Sequence, residues 1–296
     1  MKKNKKTNVY LVILLYLTVL YLKNSSFITE QILSYTKLFI EKLFPASFLF
    51  FTLSALLIEY NIIPFLTKFF HHNGATFYVV SMSLISGFPS GSKYTKELLE
   101  KKFITETTAN YLIRFTHFPN PVFILGPVSL LFPSKKYTYA ILFSVIFANI
   151  IISFFKKPKE KEELPLPINK NPSLAKTLPI AITNSIKTIL LIYGTSIFFY
   201  LIITIINHYI NLPILEYVII NGIFDLTNGI FLTSLITHPI QRALIIIFFI
   251  SLGGISVHMQ TKSIITDTNI KYRNFFIGRI LQTFFASILF LWIINW

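Results

Sequence analysis

One carboxylate, Asp225, stands inside the apolar run IINGIFDLTNGIFLTSLI. An ionised carboxylate is costly in a hydrocarbon environment, so acidic side chains there are paired, protonated or bound to an ion, and by default they mark functional sites. Thr227, Asn228 and Gly229 would complete a polar break around it. We therefore predict that Asp225 binds a polar substrate and carries a coupling proton or ion, with Thr227 and Asn228 as further ligands.

A second polar interruption, SGFPSGSK at residues 86–93, follows directly on the apolar FYVVSMSLI. Non-helical backbone at membrane depth survives only where protein or a polar cavity covers it. We therefore predict a buried hairpin tip at which the returning half-helix presents free N–H groups to an anionic or polar ligand. The predicted ligands are Gly87, Pro89, Ser90, Gly91, Ser92 and Lys93. For Lys93 the alternative is that its ammonium group extends to the cytoplasmic interface.

Two further breaks lie in apolar segments. In HFPNPVFILGP three prolines remove backbone donors, and Asn120 either satisfies the freed backbone groups or binds substrate. In FISLGGISVHMQ we predict that Gly254 and Ser256 are ligands. His258, in the same stretch, either couples proton movement or hydrogen-bonds to backbone at a helix end.

The elements that must position these residues are membrane helices. Of 296 residues, 53% are hydrophobic and 13% charged, and the mean hydropathy is +0.64. A membrane-spanning helix needs about 20 apolar residues. The candidate windows are 48–65, 112–132, 137–155, 189–206, 243–257 and 275–296. No polar stretch is long enough to fold alone, so we expect one integral membrane domain and no soluble enzyme module.

Several classes of function are disfavoured. The net charge of +15 does not indicate a nucleic-acid partner, because the basic residues lie mostly at the ends of apolar segments, where they orient helices. The absence of cysteine excludes disulfides, thiolate metal sites and cysteine nucleophiles. His71 and His72 have no nearby carboxylate in the sequence, so we expect neither a metal site nor a cofactor. We also find no combination of nucleophile, base and orienting side chain, and we predict no enzyme.

The chain divides into four regions. The N-terminus, MKKNKKTNVYLVILLYLTVLYL, has the pattern of a signal peptide or a retained signal anchor, and the lack of a small-residue cleavage site favours the anchor. The stretch KKPKEKEELPLPINKNPS is charged and rich in proline, which predicts an extended linker. We assign a signal-anchor helix and loop, a first half, a cytoplasmic linker and a second half, at residues 1–39, 40–155, 156–176 and 177–296.

The distribution of basic residues indicates how the halves are oriented. If the N-terminus is cytoplasmic and residues near 75–92 and 214–236 form re-entrant hairpins from opposite sides, 18 of the 27 basic residues are cytoplasmic and 6 are outside. The remaining three, Arg114, Lys187 and Arg279, fall at helix ends. This predicts an all-α, polytopic, inverted-repeat transporter-like fold with two re-entrant helical hairpins and broken helices, as in many secondary transporters.

The motifs SGFPSGSK, KELLEKKFIT, NPVFILGPV, LTNG and LGGISVHMQTKSIITDTNIKYRNFFIGRILQ together resemble the YlbJ-type sporulation integral membrane proteins over residues 40–296. That family is grouped with the Gate or nucleoside-recognition membrane domains and is distantly similar to concentrative nucleoside transporters, whose fold has two opposed hairpins beside two broken helices. The resemblance implies a multi-pass protein of the forespore or mother-cell membrane that acts in cortex or coat maturation. A glutamate is usual where Asp225 stands, so the carboxylate here has a shorter reach.

The sequence thus predicts a secondary transporter of an unidentified polar small molecule. Residues 87–92, Asn120, Asp225 and residues 253–258 would line one central site, with Asp225 or His258 as the coupling group. The alternative is a non-transporting membrane scaffold for sporulation, in which the breaks only shape a surface for a partner. The expected partners are the lipid bilayer and the transported molecule, and whether the chain forms a homo-oligomer is left open.

Overall fold

The computed structural model describes residues 2–70, 74–155, 157–158 and 172–296, and over these residues its regular elements are all helical. In chain order they are α1 (Lys2–Lys23), α2 (Ser25–Leu38), α3 (Phe44–Glu59), α4 (Ile62–Phe70), α5 (Gly74–Ser86), α6 (Ser90–Glu100), α7 (Glu106–Leu112), α8 (Pro121–Leu125), α9 (Lys135–Ser153), α10 (Leu174–Tyr209), α11 (Ile214–Phe224), α12 (Leu226–Leu232), α13 (Pro239–Leu252), α14 (Ile255–Ile264) and α15 (Tyr272–Ile294). A π-helical turn precedes α3 and short 3-10 turns follow α8 and α12.

The described residues contain four helices long and apolar enough to cross a membrane, namely α9, α10, the α13–α14 segment and α15. The number rises to six if two bent pairs each count as one span: α1 with α2, bent by 94°, and α3 with α4, bent by 76°. Large apolar side chains such as Phe147, Phe284 and Trp292 are exposed on the outer surface, as expected of residues that face lipid. The prediction of an all-α polytopic membrane protein is confirmed.

Three parts of the chain differ from the sequence-based expectation. The loop expected after the first helix is helix α2, which packs against α10. The window at 48–65 is not one continuous helix, because the chain bends after α3 at Asn61, where φ is 63°. The window at 112–132 is divided into α7, a non-helical segment, α8 and a 3-10 turn, because its prolines cannot donate to a helix. His71, His72 and most of the predicted linker lie outside the described residues.

Helix pairs occupy both positions predicted for hairpins. In the first hairpin, α5 and α6 are joined by Gly87–Pro89, and the hydroxyls of Ser86 and Tyr94 lie 2.8 Å apart across it. In the second hairpin, α11 and α12 are joined by Asp225 alone, and the backbones meet at Gly222 and Gly229, where a Cβ on Gly229 would overlap the Gly222 Cα. The chain therefore reverses at two places, each beside residues that were predicted to bind a ligand.

Candidate functional site

The tip of the first hairpin is closed by its own hydrogen bonds. Gly87 has a φ of 77°, in the left-handed region that favours glycine. Its carbonyl accepts hydrogen bonds from the Ser90 backbone N–H, at 3.1 Å, and from the Ser90 hydroxyl. Ser90 is fully buried and Ser92 is nearly so. The hydroxyl of Ser90, a predicted ligand, therefore holds the turn in this conformation.

This tip packs directly on the non-helical segment between α7 and α8, which we call the first break. A Cβ added to Gly87 would lie 2.8 Å from the Asn120 backbone nitrogen, and one added to Gly91 would overlap the Thr116 carbonyl. The Phe88 ring stacks on the His117 imidazole, with ring centroids 4.8 Å apart and planes 13° from parallel. The first hairpin and the first break thus form one backbone-to-backbone contact, which needs glycine at position 91.

We expect Gly91→Ala to lower the free energy of unfolding by about 1–3 kcal/mol, because its Cβ would be forced against the Thr116 backbone. Gly194→Ala is the matched control, since Gly194 has no atom within 4 Å of an added Cβ and should be neutral or slightly stabilised. Unfolding in mixed detergent micelles measures both. Equal stability of the two variants would contradict the close packing of the tip.

The first break is stabilised by side chains that satisfy its backbone. Asn120 Oδ1 accepts a hydrogen bond from the Val122 N–H at 2.8 Å and so caps α8. His117 is buried, and its Nε2 lies 3.2 Å from the Ile250 carbonyl oxygen, so this nitrogen donates to α13. The carbonyl of His117 accepts from the amides of Asn149, at 2.7 Å, and Gln282, at 3.2 Å. Two roles were predicted for Asn120, and the geometry shows the one in which its side chain satisfies a freed backbone group.

A fully buried arginine, Arg279 on α15, lies beside this break. Its guanidinium donates to the carbonyls of Arg114, at 2.8 Å, and of His117 and Ser251, each at 3.5 Å, and to the Gln282 side chain. Among the described residues no carboxylate forms an ion pair with it. The Ser251 carbonyl belongs to the last turn of α13, and the Arg114 carbonyl to the turn that follows α7; helix C-terminal ends carry partial negative charge. The charge of Arg279 is therefore offset in part by carbonyl oxygens at two helix ends.

Sequence reasoning missed this role by placing Arg279 at a helix end. A signal was available, because Arg279 and Gln282 are three residues apart on one face of a mainly apolar helix. Such a polar pair within a membrane helix indicates an interior position.

Asp225 occupies the tip of the second hairpin and is 2% exposed. Its Oδ1 accepts a hydrogen bond from the Asn228 backbone N–H at 2.9 Å, the bond of a helix N-cap. Its Oδ2 accepts from the Tyr35 hydroxyl of α2 at 3.2 Å. The carboxylate is thus fixed by the helix that it caps and by a tyrosine from the region that was expected to be a loop.

Polar contacts extend from Asp225 in two directions. On one side, the Tyr35 hydroxyl lies beside Ser196, whose Oγ accepts a hydrogen bond from the Gln260 amide at 2.9 Å. On the other, the Asn221 Oδ1 accepts from the side-chain amides of Asn228 and Asn207, each at 3.0 Å. We call this set the Asp225 network; its members are Tyr35, Ser196, Asn207, Asn221, Asp225, Asn228 and Gln260. It joins five helices through the apolar interior.

The break between α13 and α14 packs on the second hairpin. Gly253 has a φ of 79°, and a Cβ on Gly254 would lie 3.1 Å from both the Gly222 carbonyl oxygen and the Leu226 nitrogen. Ser256, the second residue of α14, is buried. His258 Nε2 donates to the Leu252 carbonyl at 2.9 Å, and its Nδ1 accepts from the Tyr272 hydroxyl at 2.7 Å. Two roles were predicted for His258, and this geometry shows the one in which the imidazole hydrogen-bonds to backbone at a helix end.

The predicted site residues fall into two groups. Residues 87–93 and Asn120 form the first, and Asp225, Thr227, Asn228 and Gly254 form the second. Within the described part of the chain no hydrogen bond joins residues 87–93 to Asp225. Helix α14 connects the groups, through Thr261, whose hydroxyl is 3.5 Å from that of Ser92, and through Gly254. The described residues also contain no group of three or more histidine, aspartate or glutamate side chains that could hold a metal ion.

The comparisons with known proteins agree with the motifs. No protein-family model matches the chain, and no solved structure matches it. The chain is 28% identical to the sporulation integral membrane protein YlbJ of Bacillus subtilis (strain 168), in an alignment of 301 residues that covers 84% of this chain and 73% of the relative. The predicted resemblance to YlbJ-type sporulation integral membrane proteins is confirmed. With the apolar helices described above, this similarity supports a multi-pass membrane protein.

Proposed function

We propose that this relative of the YlbJ-type sporulation proteins moves a polar small molecule across the forespore or mother-cell membrane, in support of cortex or coat maturation. The sporulation part of the proposal rests on the similarity to YlbJ. The transport part rests on one observation: each helical hairpin packs its backbone on a break in another segment, at Gly91 on Thr116 and at Gly254 on Gly222. Hairpins beside broken helices are the elements from which transporter binding sites are built.

The mechanism that we propose is alternating access between two inverted halves, as in the Gate or nucleoside-recognition proteins that the motifs resemble. At Gly91 and Gly254 themselves the backbones meet without interlocking side chains, so a hairpin could shift as a unit. Movement of the first hairpin would uncover the backbone N–H groups that begin α6, and these groups favour an anionic or polar ligand. The N–H groups that begin α12 stay capped by Asp225.

In this proposal Asp225 is the coupling group. Its carboxylate is buried, its hydrogen-bond partners are neutral, and among the described residues no basic side chain donates to it. Gaining or losing a proton or cation would therefore change its interaction with Tyr35 and Asn228. The second hairpin, which Asp225 caps, would respond to that change because its N-cap bond depends on the carboxylate.

A membrane scaffold is the second candidate, and a specific observation favours it. Two predicted ligands, Ser90 and Asn120, already use their side chains to satisfy nearby backbone, as a purely structural break requires. A scaffold would keep its hairpins closed and would bind no small molecule.

Ligand-induced thermal stabilisation of the detergent-purified protein separates the two candidates. The panel would contain nucleosides, dipicolinate, peptidoglycan precursors and common ions. A ligand at 100 times its dissociation constant should raise the free energy of unfolding by about 2.7 kcal/mol. The transport proposal expects one compound to stabilise the wild type and to lose its effect in Ser90→Ala and Asp225→Asn. If no compound shifts the transition, the scaffold is the better description.

A further inference from the structure

A charged cleft of about 490 Å³ lies between α3, α6, α10 and α14. We call it the lysine cleft, because its charged lining residues are Lys93, Lys96, Lys101, Lys176 and Lys187, together with Glu59, Glu97 and Glu100. The second cavity near a predicted site residue, about 340 Å³ beside His258, is instead lined mainly by apolar and aromatic side chains. A water-filled cleft with charged walls concentrates ions of the opposite sign.

Three of the five lysines face carboxylates. Lys93 and Lys96 lie 3.6 Å from Glu97 and Glu100, and Lys101 pairs with Glu59. Lys176 and Lys187 have no ion pair with any residue that the structure describes. The lining side chains of the cleft therefore carry an excess of two positive charges, and both excess charges are contributed by α10.

Polar residues of α10 also line the cleft near its two lysines. Thr177, Asn184 and Thr188 lie between and beside Lys176 and Lys187, together with the apolar Ile180, Ala181 and Leu191. Lys176 and Lys187 are eleven residues, or about three helical turns, apart and both border the cavity. The pattern combines cations with hydroxyl and amide groups, the donors that bind phosphate and carboxylate oxygens.

The inner end of the cleft is close to the first hairpin tip. Lys93, with a side chain 11% exposed, is three residues from Ser90, and its Nζ lies 5.0 Å from the centroid of the Phe51 ring. Ser263 of α14 also lines the cleft, two residues from Thr261, which is next to Ser92. An anion attracted by Lys176 and Lys187 would thus arrive beside the residues that begin α6.

We propose that the lysine cleft binds an anion with a phosphate or carboxylate group and forms the vestibule through which it approaches the first hairpin. This inference deepens the proposed function by giving the substrate an anionic character, and it rests on that function for the vestibule role alone. The same chemistry is offered by a soluble phosphorylated molecule and by the headgroup of an anionic lipid.

The test measures binding of pyrophosphate to the full-length protein by thermal stabilisation in an uncharged detergent. We expect saturable stabilisation that weakens with ionic strength, and about tenfold weaker binding in the double variant Lys176→Gln/Lys187→Gln. The matched control is Lys37→Gln/Lys135→Gln, which removes the same charge from exposed lysines outside the cleft and should bind like the wild type. A second arm compares nanodiscs of phosphatidylglycerol with nanodiscs of phosphatidylcholine.

Pyrophosphate binding that is lost only in the cleft variant supports a soluble anion. Stabilisation by phosphatidylglycerol alone, lost in the same variant, supports a lipid headgroup at the same site. Unchanged binding in the cleft variant, equal loss in the control, or no binding in either arm overturns the inference. The proposed function is judged separately. If a neutral solute is transported and its flux is unchanged in the cleft variant, transport is supported and the vestibule is overturned. If the cleft binds an anion but no flux is measured, the site is supported and the result counts against transport.

Discussion

Replacing Arg279 with methionine should lower the free energy of unfolding by about 3 kcal/mol. The change removes the side-chain donor of the Arg114 carbonyl and weakens the contacts of the His117 and Ser251 carbonyls, all within a buried region. A buried acceptor that loses its partner costs about 1–3 kcal/mol. The side chain of methionine is apolar and flexible, and although it is shorter than that of arginine it refills most of the space, so a cavity contributes little. The expected loss is therefore mainly the loss of hydrogen bonds to the two helix ends.

Unfolding in mixed detergent micelles measures this effect, and two further variants define its cause. Arg279→Lys keeps the charge but cannot donate to carbonyls on several sides at once, so its loss should be intermediate. Arg273→Met changes an exposed arginine of the same helix and should alter stability by less than about 0.5 kcal/mol. A methionine variant as stable as the wild type would show that the cost of burying the guanidinium outweighs its hydrogen bonds.

Changing Asp225 to asparagine should abolish ligand-dependent stabilisation and flux, with at least about a tenfold loss of ligand affinity, while leaving the fold intact. Asparagine is as good an N-cap as aspartate, so the bond from Asn228 can persist and stability should change by less than about 1 kcal/mol. What the variant lacks is the ability to ionise. Its effect therefore reports on charge and not on capping.

Two comparisons separate these contributions. Asp225→Ala removes the cap as well and should cost about 1 kcal/mol of stability in addition to the functional loss. Tyr35→Phe removes only the hydroxyl that donates to Oδ2, leaving the carboxylate able to ionise, and should retain part of the function. Spore formation and flux in reconstituted vesicles are the readouts. Normal values of both in Asp225→Asn would exclude Asp225 as the coupling group.

The breaks in the helices were predictable because their causes are local. Gly87 and Gly253 permit the positive φ that they adopt, and the closely spaced Pro119 and Pro121 disfavour a continuous helix, although the single Pro179 lies inside α10. The apolar runs that became α9, α10 and α15 were predictable for the same reason, since length and hydropathy decide whether a helix can span a bilayer. The stretch after the first helix was wrongly predicted to be a loop, because its helix is stabilised by contacts with distant parts of the chain, namely packing on α10 and the hydrogen bond from Tyr35 to Asp225.

The tertiary structure alone decided which polar groups meet. The sequence placed Arg279 at a helix end, whereas in the structure α7 and α13 end beside it. Both of these helix ends are more than 25 residues from Arg279 along the chain. The Asp225 network and the lysine cleft likewise collect side chains from helices distant in sequence. A single sequence carries strong information on where the backbone must break and where it must be apolar, because both follow from neighbouring residues. It carries little on which buried donor faces which acceptor, because that depends on how the helices pack.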